Sequence, residues 1–171
     1  TNSASGGSGI TGKYGIINSG TIDIRVSINA DSWHGILNTG TVNLNGGSIT
    51  GATSGIYSNA SSATTNIISG DVESTSGNGV YLKFGTLNIG NNTDSTVSTT
   101  SPTISGKNYG VYKEAGTFNF YDGVISGESS AIYGTVNSTP TNYSVIYSNY
   151  NKTAKLGKNT EIVATNTTLN K

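Results

Sequence analysis

Apolar residues recur along this chain at alternate positions in short runs, and each run stops at Gly, Asn or Ser. Residues 35–51, GILNTGTVNLNGGSITG, hold three such runs: Ile36-Leu37-Asn38, Thr41-Val42-Asn43-Leu44 and Ser48-Ile49-Thr50. A period of two is the mark of a strand with one buried face. None of the three is long enough to be stable by itself. The corners between them are Asn-Thr-Gly and Asn-Gly-Gly, residues that accept the left-handed backbone a sharp turn needs.

The rest of the chain repeats this stretch. Leading Gly-Ile or Gly-Val pairs start at Gly15, Gly35, Gly55, Gly79 and Gly110, with a degenerate sixth start at Ala131, so the intervals are 20, 20, 24, 31 and 21 residues. The second run returns as TIDI, TVNL, TTNI, TLNI and TFNF, then as a truncated TVN from Thr135. The third returns through Ile10, Ile28, Ile49, Val72, Ile104 and Ile125. A unit of about 20 residues with its insertions at corners predicts a solenoid of about six coils. The expected fold is therefore all-β: a three-sided parallel β-helix, right-handed because crossover connections take that hand.

Each column has an expected inside and outside. Ile16, Ile36, Ile56, Val80, Val111 and Ile132 point inward in the first run. Ile22 and Ile24, Val42 and Leu44, Leu87 and Ile89, and Phe118 and Phe120 do so in the second. Thr65 is the polar intruder, which marks the third coil as the weakest. Residues 1–9 read as a flexible leader or an incomplete coil, since Gly6 to Gly12 mimics the closing side of one. Coils fill 10–137, and 138–171 read as an irregular terminal coil or cap, with strands expected at 143–150 and 160–165. The insertion at 91–102 reads as a polar loop thrown out from a corner, either a binding loop or a tolerated insertion.

Composition narrows the function. Charged residues make up 11% of the chain, the formal net charge is zero and Arg25 is the single arginine, so no basic stripe exists for nucleic acid. No apolar run approaches the roughly 18 residues of a membrane span. The absence of Cys excludes disulfides and thiolate metal sites. Neither a signal peptide nor a start Met is present, as expected of a mature or excised piece.

The chemistry-bearing side chains are few. The third position of the first run forms an outward column: Ile17, Leu37, Tyr57, Tyr81, Tyr112 and Tyr133. Tyr57, Tyr81, Tyr112 and Tyr133 are the candidate contact surface, a sugar-stacking or lateral packing strip, set against plain stacking within the ladder. The nine acids are scattered. Asp71 and Glu73 flank Val72 on one outward face, and Trp33-His34 reads as corner packing. No catalytic residue, metal site or cofactor is expected.

The units GILNTGTVNLNGGSITG and GVYKEAGTFNFYDGVISG resemble the repeats of bacterial surface and adhesin-type β-helix proteins of the broad pectate-lyase-like superfamily, over residues 10–137. The resemblance implies a non-catalytic extracellular or cell-surface stalk, fibre or display segment. Its partners would be a host or cell-wall glycan, a surface protein, or further copies stacked end to end. The catalytic residues of the lyase branch have no counterparts here. A carbohydrate-binding or polysaccharide-cleaving β-helix is the alternative. The outward Thr-x-Asn column also resembles the Thr-x-Thr faces of ice-binding solenoids, with Asn or Asp in place of the second Thr.

Overall fold

Strands of three to five residues stand only by pairing, and here each pairs with its equivalent one coil away. The computed structural model describes residues 2–4, 10–12, 14–92 and 96–160. The first ladder stacks β3 (Ile16–Asn18), β6 (His34–Asn38), β8 (Ser54–Ser58), β10 (Asn78–Leu82), β13 (Tyr109–Lys113) and β16 (Ser130–Tyr133) into a 6-stranded sheet. All its pairs are parallel, and the register runs Ile16, Ile36, Ile56, Val80, Val111, Ile132.

The second ladder holds β1 (Asn2–Ala4), β4 (Thr21–Ile24), the first halves of β7 (Thr41–Gly51) and β9 (Thr64–Ser74), β11 (Thr86–Ile89) and β14 (Thr117–Phe120). The third holds β2 (Ile10–Gly12), β5 (Ile28–Ala30), the second halves of β7 and β9, β12 (Thr103–Gly106) and β15 (Val124–Gly127). Three ladders of parallel strands make a β-solenoid of about five turns. Residues 2–4 thus occupy a second-ladder position, one coil ahead of β4.

β7 and β9 bend round a corner without a break, which merges the second and third ladders into one 12-stranded sheet. The corner works because Gly47 and Gly70 both hold positive φ, at 76° and 99°. They also sit so close that a Cβ on Gly70 would lie 2.5 Å from the Gly47 carbonyl oxygen.

Every inward residue of the first two runs from Ile22 onward is buried, including Phe118 and Phe120, while Ile16 is only partly covered. The interior also carries polar side chains. Asn18 and Asn38 are buried and bonded to each other (Nδ2 to Oδ1, 2.9 Å), and Asn38 Nδ2 donates onward to the Thr65 hydroxyl at 3.1 Å. Thr65 is the acceptor of an internal amide ladder, so its polarity has a partner.

The insertion at 91–102 is tied down at its shoulders. The buried Asp122 carboxylate accepts the backbone N–H of Asn91 at 2.9 Å and of Ser98 at 2.6 Å, and Val97 packs on the core.

Beyond β16 the chain continues the second ladder briefly, with a parallel bridge from Asn119 to Ser138. It then reverses into a hairpin of β17 (Tyr143–Ser148) and β18 (Thr153–Lys158). β18 pairs antiparallel with β15 and buries Ala154 and Leu156. The tail's second strand therefore precedes the stretch expected at 160–165, of which 161–165 lie outside the described residues. Antiparallel pairing leaves no parallel template on that edge of the third ladder.

Candidate functional surface

Parallel in-register strands place like side chains above one another. Leu37, Tyr57, Tyr81, Tyr112 and Tyr133 therefore form a single outward file on the first ladder, headed by Ile17. Neighbouring ring centres are 5.0 Å apart for Tyr57–Tyr81, 5.1 Å for Tyr81–Tyr112 and 4.6 Å for Tyr112–Tyr133. The structure thus brings together all four tyrosines expected as a contact surface.

The file extends beyond these four tyrosines. The His34 ring lies 4.7 Å from Tyr57, Trp33 lies 5.8 Å from His34, and Tyr14 lies 5.7 Å from Trp33. At the other end Tyr109 packs on both Tyr112 and Tyr133 at 5.5 Å. Trp33-His34 is corner packing that also extends the aromatic seam. The signal that finds Tyr14, His34 and Tyr109 is their common place two residues before an inward Ile or Val.

This packing decides what the seam can offer. Rings that lean on one another turn part of their faces inward along the file, so an incoming partner meets mainly edges and hydroxyls. Larger exposures are at the ends, where Ile17 is 65% exposed, Trp33 43% and Tyr133 49%. In the middle, the Tyr81 hydroxyl donates to the Glu114 carboxylate. That bond, followed by burial and the negative charge of Glu114, pushes the phenol well above its ordinary range.

His34 is the one histidine. It is buried, its Nδ1 has no protein hydrogen-bond partner, and burial lowers its pKa below the ordinary 6.5. The folded state disfavours the imidazolium, so the contribution of His34 is fully present above pH 6.5 and is lost as pH falls below it toward the folded value. The urea midpoint should therefore drop between pH 7.5 and pH 5.5, and His34→Phe should flatten that drop. An equal drop in the variant would assign it to the carboxylates.

The outward column of the second ladder is a second file. Asn43 donates to Asp23 at 2.7 Å, Asn66 to Asn43 at 2.8 Å, Asn88 to Asn66 at 2.7 Å and Asn119 to Asn88 at 2.8 Å. Every amide points the same way, and the file ends on a carboxylate that only accepts. These amides bond to one another, which sets them apart from an open Thr-x-Thr array.

Acidic chemistry is sparse. Among the described residues no group of three or more His, Cys, Asp or Glu side chains converges. Asp71 and Glu73 do share an exposed face, and the Thr103 hydroxyl donates to Asp71. Glu73, Lys107, Glu128 and Lys152 line a shallow open groove beside the hairpin tip, with Lys107 and Glu128 paired at 2.6 Å. No helix among the described residues is long and apolar enough to cross a membrane.

No protein-family model, curated protein or solved structure matches the chain. What likens it to β-helix proteins is its architecture, a parallel β-solenoid.

Proposed function

We propose that this chain is a non-catalytic rod segment of a bacterial surface protein, structural or adhesive, working outside the cell. The observation that carries the reading is that the recurring polar and aromatic side chains are taken up in coil-to-coil files. Asn bonds Asn and Tyr packs on Tyr, while among the described residues no group of three or more His, Cys, Asp or Glu side chains converges. An enzyme of this architecture needs convergent acids or a metal site at one place along the rod. Regular files instead serve stiffness and length.

Adhesion would fall to the aromatic seam, whose edges and hydroxyls suit a cell-wall or host glycan or a surface protein. End-to-end stacking of copies belongs to the same reading. β18 already occupies the third ladder's C-terminal edge, and among the described residues β1, β2 and β3 each pair on one side only, so stacking of copies would use that side.

A glycan array run beside a lyase and hydrolase screen tests the proposal. Cleavage of any polysaccharide would overturn it in favour of the enzymatic alternative. If the seam is the adhesive strip, Tyr81→Ser with Tyr112→Ser should abolish surface or glycan attachment while the β-rich circular dichroism stays intact. Parallel loss of fold and attachment would assign these rings to the fold alone.

A further inference from the structure

We propose that Tyr112 and Tyr133 form a site of oxidative cross-linking, at which a one-electron oxidant of the activated-peroxidase class joins two neighbouring coils through a dityrosine bond. The inference stands on ring geometry and does not depend on the adhesive reading.

Among the tyrosine pairs of the seam, this one alone is parallel. The two rings lie 4.6 Å apart with 7° between their planes. Tyr57–Tyr81 is tilted by 40°, Tyr81–Tyr112 stands at 87°, and Tyr109 meets Tyr112 and Tyr133 at 49° and 55°. The pair is in register on adjacent parallel strands, so both side chains leave the backbone in the same direction. That places the ring carbons beside the two hydroxyls within reach of each other after small rotations. Tyr133 is 49% exposed, which gives an oxidant access.

The rest of the file supplies a second route. Trp33, His34, Tyr57, Tyr81 and Tyr112 follow one another at 5.8, 4.7, 5.0 and 5.1 Å. An electron vacancy created on Trp33 or Tyr57 can therefore pass along ring contacts toward Tyr112. The Glu114 carboxylate, hydrogen-bonded to the Tyr81 hydroxyl, can hold that phenol's proton while the vacancy passes and return it afterwards.

Each of Tyr112 and Tyr133 gives one electron to the oxidant and its hydroxyl proton to solvent, leaving two phenoxyl radicals. Their unpaired density on the carbons next to oxygen pairs to form one carbon–carbon bond. The hydrogen on each joined carbon then moves through solvent to the neighbouring oxygen, and both phenols are restored. The net change is the loss of two hydrogen atoms, taken up by the oxidant. A chain without cysteine would gain a covalent staple between its last two first-ladder strands.

The test uses the full chain, dilute, with a peroxidase and hydrogen peroxide. Dityrosine fluorescence should appear in the monomer fraction. Tryptic digestion should yield residues 108–113 joined to residues 114–152, lighter than their sum by two hydrogens, and fragment ions should place the link at Tyr112 and Tyr133. Tyr112→Phe and Tyr133→Phe, which keep the rings, should each remove the product, whereas Tyr109→Phe should not. Tyr150, 94% exposed at the hairpin tip, is the competitor. Products that join separate chains through Tyr150, or an intramolecular link that survives Tyr112→Phe, would overturn the proposal.

Discussion

Phe118→Ala should lower the stability of this chain by about 3–5 kcal/mol, the range for emptying a buried aromatic site. Phe118 is fully buried, stacks on Phe120 with ring centres 6.3 Å apart, and sits in register with Leu87 one coil earlier. On its other side, its backbone carbonyl accepts the Asn137 N–H at 2.6 Å, so the cavity would open beneath the last turn of the second ladder. Neighbouring coils complete each other's core, and the loss should spread along the stack. Amide exchange near Val80 and Ile132 should quicken together with exchange at Phe118. If only the coil holding Phe118 opened, the coupling between coils would be weaker than the shared ladders imply.

The spread of that effect rests on the feature the sequence displayed most clearly. In a parallel solenoid the alignment of repeats is itself the strand register, so writing GILNTG under GIYSNA also pairs Ile36 with Ile56. That is why the inward columns, the outward tyrosines and the three ladders are legible in the sequence. Legibility ended wherever a residue had no repeat to stand beneath. The terminal hairpin pairs antiparallel, so no alignment reveals it. Its second strand, TAKLGK, hides its buried Ala154 and Leu156 among lysines that face out.

Side-chain burial at the corners was less legible. Asn favours corners, and Asn38 does end β6 as Asn18 ends β3, but nothing in the sequence shows that both are buried and bonded to each other. His34 packs at the corner before Gly35 as its place suggests, but its start of β6 and its contact with Tyr57 follow only from the fold. The candidate surface was legible as a column and illegible as a surface. Sequence gives which rings align, whereas their tilts follow from packing against neighbours such as Tyr109 and Glu114.

Asn38→Ala is expected to be the costliest polar substitution. The Asn38 amide makes four hydrogen bonds out of contact with water. Nδ2 donates to the Thr64 carbonyl at 3.0 Å and to the Thr65 hydroxyl at 3.1 Å. Oδ1 accepts from Asn18 Nδ2 at 2.9 Å and from the Gly40 N–H at 3.0 Å. Truncation leaves some partners better provided than others. Asn18 keeps the carbonyls of Gly20 and Thr41, both at 3.0 Å, whereas the Gly40 N–H and the Thr65 hydroxyl lose their Asn38 bonds. At about 1–3 kcal/mol for each of these two buried groups left unsatisfied, the loss should be about 2–6 kcal/mol. Thr65→Val is the informative contrast. It removes one acceptor, leaves Asn38 bonded to Thr64, and sets a valine between Val42 and Leu87 in the same column. Its effect should stay within about 1 kcal/mol, because added apolar burial offsets one lost hydrogen bond. Urea titration of both variants separates the two roles. Should Thr65→Val cost as much as Asn38→Ala, the hydroxyl and not the amide would be the anchor. A small effect of Asn38→Ala would mean that the aliphatic columns alone hold the register. The expected ordering instead makes Asn38 the residue that resists a one-position slip, which would expose its amide and bury the outward side chains of β6.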